Sequence, residues 1–308
     1  MYRKPSFPAP IDLVLDSNEG SPPPEACRRA ADDVPLHRYP DARPLEARLA
    51  DRLGIDAARV LVTAGADEAL DRACRLLLGP GRVLALPQPT FEMIERYAGL
   101  AGASPQRVPW WRGPLPVDAF TGDVNAVVSP NNPTGAVCTR DDIATLAARA
   151  PLLLDLAYIE YADDDVTTFA LTQPNTLVFR TLSKAWGLAA LRIGYVAGPR
   201  RWIDALRAIG SPYPCASTSL AIAMRRLEGE PEVAQVRRER ARLEALLPDP
   251  VPSQSNFVFS RFPDAPATWR RLAEAGIGVR RFEAMPDYLR ITCPGDEAAF
   301  TRLRENLR

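Results

Sequence analysis

Lysine is scarce in this chain. Of its 38 basic side chains only Lys4 and Lys184 are lysine, and the rest are arginine. Where positive charge alone suffices, this sequence uses arginine, so a mid-chain lysine points to chemistry that arginine cannot do. A guanidinium does not lose its proton, whereas a lysine amine can, and can then condense with a carbonyl as a Schiff base. Lys184 stands in Thr181-Leu-Ser-Lys184, with Arg192 eight residues further on and Gly194 beyond it. Thr181, Ser183 and Arg192 are donors of the kind that surround a phosphate.

Four other places hold polar or aromatic residues that need a reason. Ala64-Gly-Ala-Asp-Glu68 follows an apolar run and opens a helical stretch. Gly65 lets the backbone approach a ligand, and the free N–H groups at a helix start favour an anion. A tight turn with an Asp cap reads the same in isolation. Phe91, after Pro87-Gln-Pro-Thr90, suits either a flat ring or an ordinary core. Ser129-Pro-Asn-Asn-Pro-Thr-Gly135 is a stiff turn that fixes the direction of its side-chain amides. Asp155 ends the apolar run Leu152-Leu-Leu-Asp155, with Tyr158 three residues on. A carboxylate there is costly without a cationic partner, unless it caps a helix. A phosphate cradle, a ring stacker, an amide, a buried carboxylate and a Schiff-base lysine together describe one ligand, pyridoxal 5′-phosphate. That cofactor needs a carboxylate at its pyridine nitrogen to keep the ring protonated as an electron sink, and donors for its phenolic oxygen and phosphate.

The composition removes competing classes. The single histidine, His37, excludes a His-rich metal site or a two-histidine mechanism, and no metal is expected. The 38 acidic and 38 basic residues balance, which removes the electrostatic argument for a nucleic-acid or anionic-membrane partner. No apolar run approaches the roughly 20 residues of a membrane span, and Met1-Tyr-Arg-Lys-Pro-Ser-Phe-Pro8 has no apolar stretch of the secretory kind. Cys27, Cys74, Cys138, Cys215 and Cys293 are odd in number and widely spaced. They read as free thiols in a reducing cytosol, so a cytoplasmic protein is expected.

These residues need a scaffold, and its pattern is visible. From about residue 60 to 205 short apolar runs alternate with amphipathic stretches. Strands are expected at 60–63, 82–86, 125–129, 151–155, 176–179 and 193–196, with helices across 67–78 and 90–100. The runs are continuous, as in strands covered on both faces, so the pattern predicts an α/β fold with a mostly parallel central sheet flanked by helices. In such a sheet ligands bind beyond the carboxyl ends of the strands. After residue 206 a charged helix at 232–247, strands at 256–259 and 288–292, and helices at 265–274 and 296–307 predict a smaller α+β C-terminal domain. The expected division is an N-terminal segment (1–35) packing on the small domain, a large cofactor-binding domain (36–205) and the small domain (206–308).

On these motifs the chain resembles the fold-type I pyridoxal-phosphate enzymes of the class I/II aminotransferases, and is most similar to the histidinol-phosphate aminotransferase family. The resemblance rests on Thr-Leu-Ser-Lys-x7-Arg-x-Gly from Thr181, on Ser-Pro-Asn-Asn-Pro-Thr-Gly from Ser129 and on Asp-x-Ala-Tyr-Ile-Glu from Asp155. It implies that Lys184 binds the cofactor covalently, that Asp155 partners the pyridine nitrogen, and that Asn132 and Tyr158 bond the phenolic oxygen. Phe91 would stack on the ring. The backbone of Ala66 and Asp67, with Thr181, Ser183 and Arg192, would hold the phosphate. Tyr39, in Arg-Tyr-Pro-Asp41, resembles a tyrosine that reaches the other subunit's cofactor, which implies a homodimer with shared sites. Arg290 matches the arginine that grips the substrate carboxylate with two prongs, Arg280 is the candidate second arginine for the substrate's side-chain phosphate with Arg281 as its rival, and Asn18 would line the substrate pocket. Where the family has Asp-Glu-Ala-Tyr this chain has Asp155-Leu-Ala-Tyr158, and it is short for the family.

The implied chemistry is transamination between an amino acid or amino-alcohol phosphate and a 2-oxo acid, with the freed Lys184 amine as the proton carrier at Cα. Three alternatives stand beside it: a lyase such as threonine-phosphate decarboxylase, an aromatic amino-acid aminotransferase, and a non-catalytic cofactor-binding module.

Overall fold

The computed structural model describes residues 6–307; the first five residues of the expected N-terminal segment, Lys4 among them, and Arg308 lie outside the described residues. The chain opens with β1 (Leu13–Leu15), a short helix α1 (Glu25–Arg28) and α2 (Arg43–Leu53). Then come β2 (Val60–Ala64), α3 (Gly65–Leu77), β3 (Val83–Gln88), α4 (Glu92–Leu100), β4 (Ser104–Pro109) and β5 (Val124–Val128). They are followed by α5 (Arg140–Arg149), β6 (Leu152–Asp155), α6 (Thr167–Thr172), β7 (Thr176–Thr181) and β8 (Ile193–Ala197). The remainder is α7 (Arg200–Ala208), α8 (Ser217–Arg226), α9 (Ala234–Leu246), β9 (Asp249–Val251), β10 (Phe257–Arg261), α10 (Ala265–Glu274), β11 (Ile277–Arg281), β12 (Tyr288–Thr292) and α11 (Glu297–Leu307).

Seven strands form the large sheet in the order β2-β8-β7-β6-β5-β3-β4. All neighbours are parallel except β8, which runs antiparallel to both β2 and β7. The continuous apolar runs have the physical cause the sequence suggests, because alternate residues feed two cores. Leu152 and Leu154 belong to one apolar cluster and Leu153 to the other; Val127 faces the first, and Val124, Ala126 and Val128 the second. Truncating any of these leucines to Ala would cost on the order of 2–5 kcal/mol. Local signals set the helix ends. Thr139 and Asp142 form a reciprocal cap at the start of α5, with bonds of 3.1 and 2.8 Å, and Gly54 ends α2 in the left-handed region at φ +66°.

The small sheet has the order β1-β11-β12-β10-β9. Helices α9, α10 and α11 cover one face of it through Leu243, Trp269, Leu272, Phe300 and Leu303. The N-terminal segment divides. Its strand β1 adds in parallel to β11 (Leu13 opposite Ile277), whereas α1 and the turn after it pack on α8. The expected boundary at 205/206 falls inside α7. The larger core continues through Leu227, since Cys215, Leu220 and Ala223 point into it. A fourth cluster joins the two units: Tyr158 and Tyr161 from the large one meet Phe257 and Cys293 from the small one.

Candidate active site

The site lies along one edge of the large sheet. Because β8 is antiparallel, its first residues share that edge with the last residues of β2 and β7: Ala64 is opposite Ile193, and Thr181 opposite Gly194. Further along, Val128 pairs with Asp155, and Asp155 with Phe179. Five loops distant in sequence therefore meet there.

At one end α3 begins without a side-chain cap, which leaves its first amides free for an anion. Gly65 has φ +79°, and a Cβ on it would stand 2.6 Å from Arg192 Nη2. A Cβ on Gly194 would stand 2.3 Å from the Ala66 amide nitrogen, so both glycines serve close approach. Arg192 occupies the left-handed region at φ +54°, a conformation a non-glycine residue holds only when its surroundings fix it. They do so here: its guanidinium donates to Ser183 Oγ at 3.3 Å, the Ala189 carbonyl at 3.1 Å and Asp67 Oδ2 at 3.1 Å. Thr181 turns inward, its hydroxyl donating to the Ile193 carbonyl at 3.4 Å and accepting from the Ser183 amide at 3.1 Å, which shapes the Lys184 loop.

In the middle stand Asp155 and Lys184. Asp155 is 3% exposed, and its carboxylate accepts the Ala157 amide at 3.0 Å. No ion pair holds it among the described residues. Burial pushes its pKa up to about 7, opposed by the Ala157 bond and by the positive charge of Lys184. Lys184 is half-buried, donates to the Ser17 carbonyl at 3.0 Å, and lies 5.5 Å from the centre of the Tyr158 ring. Tyr158 in turn accepts from Asn18 Nδ2 at 3.1 Å. Asn18 is buried at φ +56° and exchanges two bonds with Thr292, whose hydroxyl donates to its Oδ1 at 3.0 Å and accepts its amide at 3.2 Å.

The third part faces these from the small domain. Arg290 of β12 is 6% exposed; its Nη1 donates to Asn132 Oδ1 at 2.5 Å and its Nη2 to the Asp16 carbonyl at 2.6 Å. Arg280 of β11 is its register partner and shares its face of the sheet. Arg281 points the other way, 4.8 Å from the centre of the Trp269 ring, so Arg280 is the arginine beside Arg290. Phe91 is half-buried at the start of α4, against the second core. Tyr39 is the residue this chain does not bring to the site: it is 81% exposed and stacks on Tyr213 at 4.6 Å.

Several residues that build the site escape sequence reading. Asp16 and Ser17 act through carbonyl oxygens, which carry no side-chain signal. Thr292 and Asn256 hold Asn18, and Glu160 accepts from Trp186 at 2.9 Å and Arg180 at 2.7 Å, tying the Tyr158 loop to the Lys184 loop. Asp-x-Ala-Tyr-Ile-Glu160 contained that signal, since an acid near an otherwise buried strand end calls for a cation. Pyridoxal phosphate fits this donor set. The close backbone at Gly65 and Gly194, with Ser183 and Arg192, suits its phosphate, and buried Asp155 lacks the cation that a protonated ring nitrogen provides.

Residues 12–307 match the family described as aminotransferase class I and II, and the chain belongs to that pyridoxal-phosphate-dependent family: it is an aminotransferase. Within the family its relatives include histidinol-phosphate aminotransferases. That of Cereibacter sphaeroides is 35% identical over 94% of this chain and 89% of its own length. That of Thermobifida fusca is 33% identical over 92% and 86%. Among solved structures, histidinol-phosphate aminotransferase from Sinorhizobium meliloti in complex with pyridoxal-5′-phosphate superposes with a TM-score of 0.86 at 22% identity, covering 97% of this chain and 90% of that one. L-threonine-O-3-phosphate decarboxylase from Porphyromonas gingivalis gives 0.84 at 19% identity, over 96% and 98%, and so shares the fold. No helix among the described residues is long and apolar enough to cross a membrane.

Proposed function

We propose that this aminotransferase exchanges the amino group of a phosphorylated donor of the histidinol phosphate kind with a 2-oxo acid, using pyridoxal 5′-phosphate. The observation that carries the reading is the pair Arg280 and Arg290, cross-strand partners on one face of the small sheet, with Arg290 bonded to Asn132. Two guanidiniums side by side suit a phosphate dianion, each able to give charge-assisted, two-pronged bonds. The names of the relatives at 33–35% identity support the same substrate.

When bound, the cofactor supplies an electrophilic carbon and a protonated ring that draws electrons from the substrate's Cα. Its phosphate would be held by Ser183, Arg192 and the amides of Ala66 and Asp67, with Thr181 shaping that loop. Phe91 would stack on its ring, and Asn132 and Tyr158 would bond its phenolic oxygen. Asp155 would keep a proton at the ring nitrogen, because its burial makes an ionic partner there worth more than in water. Lys184 Nζ would hold the cofactor, and its amine is the group that would carry the proton to and from the substrate's Cα. Arg290 and Arg280 orient the substrate's anionic group, and Asn18 closes the pocket above Tyr158. Tyr39, exposed in its own chain, would reach the cofactor phosphate of a second copy, giving a homodimer with shared sites.

The test supplies cofactor-loaded protein with histidinol phosphate and a 2-oxo acid and follows the new amino acid. Its formation, dependent on the donor's phosphate, is the expected outcome. Carbon dioxide released from a phosphorylated amino acid without amino transfer would replace this reading with a decarboxylase. Equal use of aromatic amino acids lacking phosphate would replace it with an aromatic aminotransferase.

A further inference from the structure

We infer that Trp111 is a positioning residue for Arg290: an aromatic bridge from the large domain that fixes the small sheet so that its arginine faces the site. The inference rests on the reading of Arg290 as the clamp on the substrate's anionic group.

Two tryptophans follow β4, and they do opposite things. Trp110 is buried in the large core; its amide donates to the Gln88 carbonyl at 2.8 Å and its ring N–H to the Gly113 carbonyl at 3.1 Å. That anchors the loop to the sheet edge. Trp111 leaves the other way and crosses to the small domain, 5.3 Å from Tyr288 at 42° and 6.3 Å from Phe259 at 25° between ring planes. The next residue, Arg112, reaches Asp249 of β9 at 3.8 Å.

The residues Trp111 meets are the immediate neighbours of Arg290. Phe259 is its register partner on β10, and Tyr288 precedes it by two on β12, so all three share one face. Phe259 stacks on Tyr288 at 4.8 Å and takes the edge of Phe282 at 5.6 Å. The guanidinium carbons of Arg290 and Arg280 each lie 5.8 Å from the Phe282 ring centre. One aromatic chain thus runs from a loop anchored in the large core to both arginines. A planar fork binds well only when its plane meets the substrate's oxygens, so a misplaced fork loses its two-pronged, charge-assisted bonds and with them affinity for the anion. The large domain holds the cofactor residues, so a contact that fixes the small sheet against it fixes that plane.

The experiment compares Trp111→Ala, Trp111→Phe and Arg290→Lys in the cofactor-loaded protein, measuring steady-state kinetics, cofactor absorbance and inorganic phosphate binding by calorimetry. Trp111→Ala should raise KM and weaken phosphate binding about tenfold, with kcat within about twofold and absorbance unchanged. Trp111→Phe should restore both affinities. If Trp111→Ala does not fold, Trp111→Leu replaces it with the same expectation. Normal KM and phosphate affinity in Trp111→Ala overturn the bridge, as does an equal fall in kcat with lost cofactor absorbance. If Arg290→Lys is impaired while Trp111→Ala is not, the bridge alone fails; if Arg290→Lys is unimpaired, the clamp fails and the bridge with it.

Discussion

Arg290 Nη1 and Asn132 Oδ1, 158 residues apart in sequence, are joined by a 2.5 Å hydrogen bond across the domain seam. The other prong of the same guanidinium holds the Asp16 carbonyl at 2.6 Å. A small-domain arginine is thereby registered against a large-domain loop and the residue that follows β1 together. It needs a fork to do so, because the two acceptors lie on different elements.

Arg290→Lys should therefore leave cofactor binding intact and lose turnover. A point charge cannot serve two directions, and the loss of a charge-assisted bidentate pair is worth on the order of 2–4 kcal/mol, or roughly 30- to 1000-fold in kcat/KM. Arg280→Ala should impair phosphorylated donors far more than unphosphorylated ones. Equal losses on both donor types would count against the phosphate role of Arg280.

Lys184 Nζ lies 3.0 Å from the Ser17 carbonyl, beside the Tyr158 ring. Borohydride treatment of the cofactor-loaded protein followed by peptide mapping should place the label on Lys184, and Lys184→Ala should abolish it. A label on Lys4 would remove Lys184 from the chemistry.

The parts of this site that were legible in the sequence are those whose chemistry is unusual for their surroundings. Lys184 stood out against an arginine-rich background, Asp155 at the end of an apolar strand, and Asn132 between two prolines. Strand positions in the large sheet were legible because two-sided burial demands unbroken apolar runs. Three of the four edge strands were not, and neither was the interior strand Ile277–Arg281. Ser104–Pro109 and Asp249–Val251 carry too little apolar signal, and Leu13–Leu15 is a strand only because β11 offers it an edge. Nor was α8 recognisable as part of the large core, since its polar Ser217-Thr-Ser start follows a Pro-rich turn. Carbonyl acceptors such as those of Asp16 and Ser17 are invisible to any reading of side chains.

Tyr39 tests assembly. Its ring is exposed and stacked on Tyr213. Tyr39→Phe should weaken cofactor affinity, and mixing it with Lys184→Ala subunits should restore part of the activity through hybrid dimers in which one site is intact. Full activity of a monomer in sedimentation would exclude shared sites.

Asp155 makes a pH-dependent prediction whose sign can be worked out. Its pKa is about 7 in the folded protein without cofactor and 3.8 in a model carboxylate, with burial the main cause. A group raised in this way favours folding fully below pH 3.8, and that contribution is lost as pH rises through 7. Without cofactor, Asp155→Asn removes the buried charge, so the variant should gain on the parent protein between pH 5 and pH 8. One pKa unit corresponds to about 1.4 kcal/mol, which sets the gain at up to about 3 kcal/mol over that window. Cofactor should reverse the order, because a protonated ring nitrogen beside Asp155 pairs its charge and Asn cannot replace that pairing. Thermal unfolding of both proteins at the two pH values, with and without pyridoxal phosphate, measures all four differences. A gap between variant and parent that ignores both pH and cofactor would mean that Asp155 does not titrate in this window and does not face the ring nitrogen.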